Sequence, residues 1–411
     1  MKKKILIIFI YCIYFFNSND IFANIGDLDV NAKYVGVYSL NSLMPIYEKN
    51  SQDKIPIASI TKIMTAIVCM DNIDDLNKTV IVDLPQVEKY YDEDYSTAGL
   101  KDKQEISYYD LIATMLIPSG ADSAACIALN VFEDYSKFIN AMNNKAKELD
   151  MNNTSFANSI GADDVNNYST IQDVALMMKY ALSNETIKNL ISTYEYTTKD
   201  GTITVHNALF QLADIYDINV NSISGGKTGM TEDAGYCLAS YSNKEVEPII
   251  CIVMGCKIEK GTLYHLSDSE KIYEDINKNY SLKSIVRKGE EIAKLSVYSM
   301  QKQISIGSAE DVKIYMLNDE EIEKEKITIE YTGVDMLSPT NKKGDIVGKA
   351  GVYYNGTHIK DIDVVVNEKV ILSIVDWSKD NKKFTMFIIT ILALLIIAIY
   401  IIIKIRKYSF K

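Results

Sequence analysis

The sequence predicts an α+β protein with an antiparallel sheet flanked by helices, then a small all-β domain and a carboxy-terminal transmembrane helix. Three observations predict this order. Apolar residues before about residue 280 recur at helical spacing. From Ser284 onward, short runs alternate apolar and polar residues, which is typical of strands. Residues 384–403 are uncharged and almost wholly apolar, and about 20 such residues can cross a bilayer as a helix.

The two chain ends predict export and anchoring. Residues 1–23 resemble a secretory signal, with three lysines, an apolar stretch and then the small residue Ala23, where we expect cleavage. Basic residues flank the apolar helix on both sides, so the distribution of charge does not determine its orientation. The predicted export of the amino terminus determines it instead. We therefore expect a single-pass protein of the cell membrane with residues 24 to about 380 outside the cell. The predicted parts are a signal (1–23), a first domain (24–283), a β domain (284–375), a linker (376–383), a membrane helix (384–403) and a cytoplasmic tail (404–411).

Composition excludes several classes of protein. The formal net charge of −12 argues against a nucleic-acid partner. Five cysteines follow the signal, an odd number without a CxxC pair, so we expect small buried side chains rather than disulfides. The three histidines are far apart and lack metal-ligand spacing. We therefore expect neither a metal nor a cofactor.

The strand pattern of the first domain predicts one sheet built from both of its ends. Tyr34 to Ser39 alternates with apolar residues, and we expect this strand to pair with residues 235–240 and 248–255. Helical patterns lie between these strands in the sequence, so the sheet would be flanked by helices.

A Ser-x-x-Lys pattern occurs four times, and context selects Ser59 and Lys62. Ser59 follows Pro56 and opens an apolar stretch, so it should lie in the first turn of a helix with Lys62 on the same face. A serine hydroxyl is a weak nucleophile until a base takes its proton. Burial would lower the pKa of the lysine and favour the neutral amine that such a base requires. The plain alternative is a capping serine beside a solvated lysine.

Two further motifs add parts that this pair lacks. Lys227-Thr228-Gly229 precedes a strand pattern and suits binding of an anionic group, and Gly229 leaves room for a ligand against the strand. Ser119, in the run PSGADSAA, could relay a proton. Taken singly, the first motif also fits a turn and the second a helix cap. Together with Ser59 they suggest acyl transfer.

The order and flanks of these motifs resemble the low-molecular-mass penicillin-binding proteins, which are serine D-alanyl-D-alanine carboxypeptidases of the peptidase S11 family. The runs ASITKIMTA, KAKELDMNNTSFANSIGADD and GGKTGMTEDAGYCLAS are similar to stretches typical of that family. The resemblance covers about residues 30–280 well and the β domain more weakly. It implies a first domain of the β-lactamase/transpeptidase-like fold, with peptidoglycan stem peptides as substrates and β-lactams as inhibitors.

The resemblance also implies roles for single residues. Ser59 would attack the carbonyl between two terminal D-alanines and Lys62 would take its proton. Ser119 and Lys227 would relay a proton to the departing amine. Lys227, Thr228 and Gly229 would bind the substrate, with the lysine and threonine side chains on its terminal carboxylate. The backbone N–H groups of Ser59 and Met230 would form the oxyanion hole.

One position departs from the family pattern, and two rival functions stay open. The middle motif of the family usually reads Ser-x-Asn, whereas the third position here is Ala121. Another polar group such as Asp122 could replace the missing amide.

A class A-like β-lactamase would use a glutamate to activate water, and Glu148 with Asn152 imitates that motif. A catalytically weak wall-binding or β-lactam-sensing protein is the second rival.

Overall fold

The computed structural model describes residues 29–244, 247–259, 261–298, 303–370 and 382–408. The predicted signal (1–23), residues 376–381 of the predicted linker and residues 409–411 of the predicted tail lie outside the described residues.

A five-stranded antiparallel sheet is the centre of the first domain. Its strands, in spatial order, are β2 (Pro45–Lys49), β1 (Tyr34–Ser39), β9 (Ile249–Cys256), β8 (Gly235–Ser242) and β7 (Gly225–Thr231). The sheet therefore joins both ends of the domain, as the sequence predicts. The expected pairing of β1 with residues 235–240 is wrong, because β9 lies between β1 and β8. The other edge of β1 is taken by β2, which follows it through a short turn.

Helices cover both faces of this sheet. Every residue of strand β9 except Gly255 is buried, and its apolar residues alternate between two apolar cores. Ile250 and Ile252 point into one core and Ile249 and Cys251 into the other, as the two-residue period of a strand requires. The helices of the domain are α1 (Thr61–Asn72), α2 (Leu84–Val87), α3 (Tyr108–Leu116), α4 (Ala121–Val131), α5 (Tyr135–Glu148), α6 (Ile171–Ser183), α7 (Glu185–Ser192), α8 (Ala208–Ile215) and α9 (Tyr264–Asn279). Two short hairpins complete it: β3 (Thr79–Ile81) with β4 (Glu105–Ser107), and β5 (Glu195–Thr197) with β6 (Thr204–His206).

The first nine residues of helix α1 are enclosed by the protein. Every residue from Thr61 to Cys69 is buried, which is the pattern of a helix surrounded by protein on all sides. Side-chain caps fix where several neighbouring helices begin. Ser107 accepts the N–H of Asp110 at the start of α3, and Thr170 accepts the N–H of Asp173 at the start of α6. These caps fix the positions of the first turns of α3 and α6.

The carboxy-terminal domain is built of strands, as the sequence predicts. Strand β10 (Tyr280–Val286) pairs with β13 (Val312–Leu317), and the predicted boundary between residues 283 and 284 falls inside β10. Six further strands form one sheet in the order β14-β16-β17-β12-β11-β15. Their bounds are β11 (Glu291–Val297), β12 (Gln303–Ser308), β14 (Ile327–Gly333), β15 (Met336–Leu337), β16 (Ile346–Tyr354) and β17 (Thr357–Val366).

The two domains share a junction at β10 and β13. Tyr280 and Tyr315 belong to the same apolar core as the inner face of α9. The Tyr315 hydroxyl also donates to the carbonyl oxygen of Glu247 at 2.8 Å. The β domain is thus packed against the first domain as well as joined to it by the chain.

A last helix, α10 (Lys382–Tyr408), contains the apolar run. Its segment Lys382–Ile405 has a mean hydropathy of 3.2, and none of it is buried inside the protein. By length and composition this segment can cross a membrane, and it extends the predicted helix by two residues at each end.

The five cysteines from Cys69 onward are free thiols, and all five are buried. The prediction that they serve as small apolar side chains is therefore confirmed. Burial raises the pKa of every one of these thiols, to about 12 for Cys126 and Cys237.

Candidate active site

Ser59 lies in a one-turn 3₁₀ helix, Ala58–Ile60, that continues directly into α1. Its side chain is partly exposed, whereas Lys62, one turn later, is only 1% exposed. The Lys62 ammonium nitrogen Nζ lies 2.8 Å from Ser59 Oγ and donates to the carbonyl oxygen of Ile160 at 2.7 Å. The predicted pair is therefore in hydrogen-bond contact at the buried start of α1.

Burial changes the protonation of Lys62. Removal of the side chain from water lowers the pKa of Lys62 to about 7, and the negative charge of Asp122 partly opposes this shift. A lysine with this pKa is largely neutral just above pH 7, so its amine can accept a proton. The solvated lysine of the plain alternative does not occur here.

Lys227, Thr228 and Gly229 lie on β7, the strand at one edge of the central sheet. Lys227 is 1% exposed, and its Nζ donates to the carbonyl oxygen of Thr228 at 2.9 Å. Burial, together with the positive charge of Lys62, holds the pKa of Lys227 well below its usual range. The two lysines are thus close enough to influence each other.

Gly229 is the point at which β7 approaches the serine. A Cβ atom at Gly229 would lie 3.0 Å from both Ala58 Cβ and Ser59 N. The sequence predicts that the absence of a side chain at Gly229 leaves room for a ligand. In the structure, atoms of the 3₁₀ turn already lie against this space. Gly229 therefore sets the distance between the edge strand and the serine.

A second glycine, which the sequence alone did not single out, also lies against this turn. Gly161 has a φ of +87°, and a Cβ atom there would lie 2.0 Å from the carbonyl oxygen of Ala58. Ala58 itself has a φ of +45°, which is costly for a residue with a side chain. Gly161 belongs to the run NSIGADD, but its contact with Ala58 is visible only in the three-dimensional structure. The 3₁₀ turn is thus held between β7 and the loop at Gly161.

Ser119 lies between α3 and α4 and also has a left-handed backbone, with a φ of +72°. Ala121, the first residue of α4, is fully buried, and its N–H donates to the carbonyl oxygen of Ser96 at 2.7 Å. The departure from the family motif is therefore a small apolar side chain packed in the protein.

Asp122 does not replace the missing amide. Its Oδ1 accepts the N–H groups of Ala98 and Ser123 at 2.8 Å, and its Oδ2 accepts those of Gly99 and Leu100 at 2.9 and 3.0 Å. The expectation that Asp122 could serve the substrate is wrong, because both of its oxygens hold the loop at residues 98–100. Nothing in the sequence indicated this contact, since it joins residues more than 20 positions apart.

The remaining predicted residues lie as follows. Met230 follows Gly229 on β7, where it pairs with Tyr236, and its side chain is 52% exposed. Glu148 is the last residue of α5, and its carboxylate pairs with Lys145 at 2.8 Å at the surface. Asn152 is also exposed. The imitation of a β-lactamase motif therefore lies at an exposed helix end and takes part in a surface ion pair.

Two family models match the sequence. Residues 23–258 match the model of the peptidase S11 family, described as D-alanyl-D-alanine carboxypeptidase. Residues 280–371 match the model of the carboxy-terminal domain of penicillin-binding protein 5. The second matched segment begins at the start of β10.

Individual relatives cover most of the chain. The D-alanyl-D-alanine carboxypeptidase DacF of Bacillus subtilis is 27% identical over 331 residues, which is 79% of this chain and 82% of the relative. A D-alanyl-D-alanine endopeptidase of Escherichia coli is 32% identical over 242 residues, covering 57% of this chain and 74% of the relative.

Solved structures show the same fold. Penicillin-binding protein 5 of Haemophilus influenzae superposes with a TM-score of 0.63 at 22% identity, covering 83% of this chain and 97% of that structure. A peptidoglycan synthesis regulatory factor of Streptococcus pneumoniae, PBP3, has a TM-score of 0.69 at 17% identity and covers 83% and 100%. The fold is thus a transpeptidase-like domain followed by a β domain. Since the family model spans more than half of the sequence, the chain belongs to the peptidase S11 family of D-alanyl-D-alanine carboxypeptidases.

Proposed function

We propose that this protein removes the terminal D-alanine from peptidoglycan stem pentapeptides through an acyl-enzyme on Ser59. Membership of the carboxypeptidase family supports the reaction class. The observation that carries the residue assignment is the 2.8 Å contact between Ser59 Oγ and a buried Lys62 whose pKa is lowered to about 7. The consequence for the cell wall is a smaller supply of pentapeptide donors for cross-linking.

In the first half of the reaction, Ser59 Oγ attacks the carbonyl carbon between the two D-alanines while the neutral amine of Lys62 takes the hydroxyl proton. The backbone N–H groups of Ser59 and Met230 stabilise the oxyanion. The carbon–nitrogen bond then breaks, an ester forms on Ser59, and the proton passes to the departing amine. The partly exposed serine and the fully buried lysine suit these two roles.

Lys227 and Thr228 bind the terminal carboxylate of the substrate, with Gly229 keeping the edge strand close to the serine. A carboxylate arriving beside Lys227 favours its charged form, because an opposite charge raises the pKa that burial and Lys62 have lowered. Substrate binding therefore charges Lys227, and Ser119 and Lys227 can then relay a proton to the departing amine.

In the second half, water attacks the ester carbon, the bond to Ser59 Oγ breaks, and the proton returns to the serine. Lys62, hydrogen-bonded to Ser59, is the base within reach. A β-lactam would acylate the same serine and inhibit the enzyme for as long as its ester persists.

We place the catalytic domain on the wall side of the cell membrane, anchored by α10 as a single span. The apolar segment Lys382–Ile405 supports the anchor. The side follows from the secretory pattern of residues 1–23 and from a substrate that lies in the wall.

The first test is mass spectrometry of a synthetic pentapeptide ending in D-Ala-D-Ala after incubation with the full chain in detergent. The wild-type protein should release one terminal alanine, and Ser59→Ala should release none. Glu148→Gln is the matched control and should act like wild type, because Glu148 lies at an exposed helix end. Turnover of penicillin without loss of alanine would instead favour a β-lactamase, and acylation by penicillin without turnover of either compound would favour a sensor.

A further inference from the structure

Among the described residues of the β domain, four large apolar side chains are exposed. Tyr298 is 65% exposed, Ile346 63%, Met336 46% and Val334 42%. Isolated apolar residues at a surface are ordinary, but a group of them marks a contact site. Whether these four form a group depends on the strand register.

The register brings all four to one end of the six-stranded sheet. The Val334 N–H donates to the carbonyl oxygen of Val347, next to Ile346, at 3.1 Å. The Tyr298 N–H donates to the carbonyl oxygen of Leu337, next to Met336, at 2.8 Å. Since β14 ends at Gly333 and β15 begins at Met336, the two outer strands of the sheet also meet here. We name Tyr298, Val334, Met336 and Ile346 the apolar end of the β domain.

The chain leaves for the membrane helix from this same end. Strand β17 runs towards it, since Ile346 pairs with Val365 and the Gly344 N–H donates to the carbonyl oxygen of Val366. Only the eleven residues 371–381 separate Val370 from α10. Such a segment spans at most about 40 Å even when fully extended. The point where the chain leaves the β domain is therefore tethered within about 40 Å of the start of α10.

We propose that the apolar end of the β domain docks on the lipid surface, with its four side chains inserted at the boundary between headgroups and acyl chains. Apolar and tyrosine side chains favour this depth. Three basic residues lie at the surface beside the apolar end (Lys342, Lys343 and Lys369), but so do three acidic residues (Asp335, Asp345 and Glu368). The contact is therefore carried by apolar burial rather than by net charge.

This proposal rests on insertion of α10 and goes beyond anchoring, because it gives the β domain a second contact with the membrane. A domain held at two points has a fixed tilt, whereas a domain held only by a tether does not. Docking would thus set the height and orientation of the Ser59 site above the bilayer.

The test places single reporter cysteines in the full chain, reconstituted in phosphatidylcholine vesicles. Ile346→Cys carries an environment-sensitive fluorophore, and lipids with a nitroxide near the carbonyl end of the acyl chain act as quenchers. Asn355→Cys, in the turn at the opposite end of the same sheet, is the matched control. Ile396→Cys, inside α10, reports insertion of the anchor. The five cysteines from Cys69 onward are buried, and the labelled wild-type chain gives the blank.

We expect loss of fluorescence at Ile346→Cys and none at Asn355→Cys, and the same result when anionic lipid is added. Equal quenching at the two positions, with Ile396→Cys quenched by deeper nitroxides, would overturn docking and leave the anchor intact. Failure at Ile396→Cys would remove the anchor and docking together, while the alanine-release assay would still judge the proposed chemistry. Quenching at Ile346→Cys that changes with protein dilution would show that a second copy, not lipid, covers the apolar end.

Discussion

Lys62 is the side chain on which the proposed chemistry depends most. It is fully enclosed, touches Ser59 Oγ at 2.8 Å, and burial lowers its pKa to about 7. A lysine that titrates near neutrality should leave its signature in the pH dependence of acylation.

We expect the rate of acylation of Ser59 by a β-lactam to rise between about pH 6 and pH 8 and then to level off. The sign follows from the base role, since the amine is neutral and able to accept a proton only above its pKa. Stopped-flow acylation gives the profile, and the unfolding temperature over the same range controls for loss of structure. A flat profile across this interval would contradict the assignment of Lys62 as the base.

Asp122→Asn should displace that profile. The Asp122 charge raises the pKa of Lys62, so its removal should move the midpoint to lower pH. The amide also turns one acceptor into a donor facing backbone N–H groups, which should cost about 1–3 kcal/mol of stability. Asp173→Asn is the control, because Asp173 also holds a loop, through the Asn153 N–H. It should lose stability with an unchanged midpoint. If the pH profiles of Asp122→Asn and Asp173→Asn had the same midpoint, the charge of Asp122 would not be what raises the pKa of Lys62.

Sequence alone predicted the Ser59–Lys62 pair, because a spacing of three residues on one helix face fixes their contact locally. It could not predict the partners of Asp122, which come from a loop more than 20 residues away. Local periodicity carries information about neighbours in the chain, whereas the contacts of a loop depend on the packing of the whole domain.

Among the elements, the 3₁₀ turn at Ala58–Ile60 carries backbone strain. It is held between β7 at Gly229 and the loop at Gly161, and Ala58 has a left-handed backbone. The sequence predicts the serine at the start of a helix, and the structure agrees. The glycines that hold the turn could not be predicted, because their contacts link segments about 100 and 170 residues apart.

Gly161→Ala should reduce acylation of Ser59 roughly tenfold or more, because a displaced nucleophile loses its alignment. The added Cβ would lie 2.0 Å from the carbonyl oxygen of Ala58, so the turn must shift. Gly201→Ala is the matched control. Gly201 also has a left-handed φ, +71°, but among the described residues, apart from its two chain neighbours, no atom lies within 4 Å of the place that an added Cβ would take. Both variants should lose about 1–2 kcal/mol of stability from the backbone alone, but only Gly161→Ala should lose acylation. Wild-type acylation in Gly161→Ala would show that the turn tolerates movement.

At the scale of the whole molecule, the sequence predicted the order of domains well. The sequence shows helical spacing, strand alternation and an apolar run of bilayer length directly. These patterns can be recognised without knowing which residues are in contact. The order of the strands in the sheet was harder to predict from the sequence. The position of β9 between β1 and β8 depends on long-range pairing, which the pattern of a single strand does not specify.

Anchoring by α10 makes a direct prediction. The full chain should stay in the membrane fraction at high salt and at alkaline pH. Ile396→Lys with Leu394→Lys should weaken this association, since a lysine at the centre of a span costs about 2.5–3.5 kcal/mol. Ile403→Lys is the control, because a lysine near the helix end can extend to the interface. Release of wild-type protein by salt alone would contradict a membrane span.

The free thiols have a consequence for how the protein matures. All five lie in the core, and burial raises their pKa values. Little thiolate is then available to react with oxidants. The domain can therefore reach and keep its native state without a disulfide-forming catalyst, and changes in the redox state of its surroundings should leave its structure unaltered.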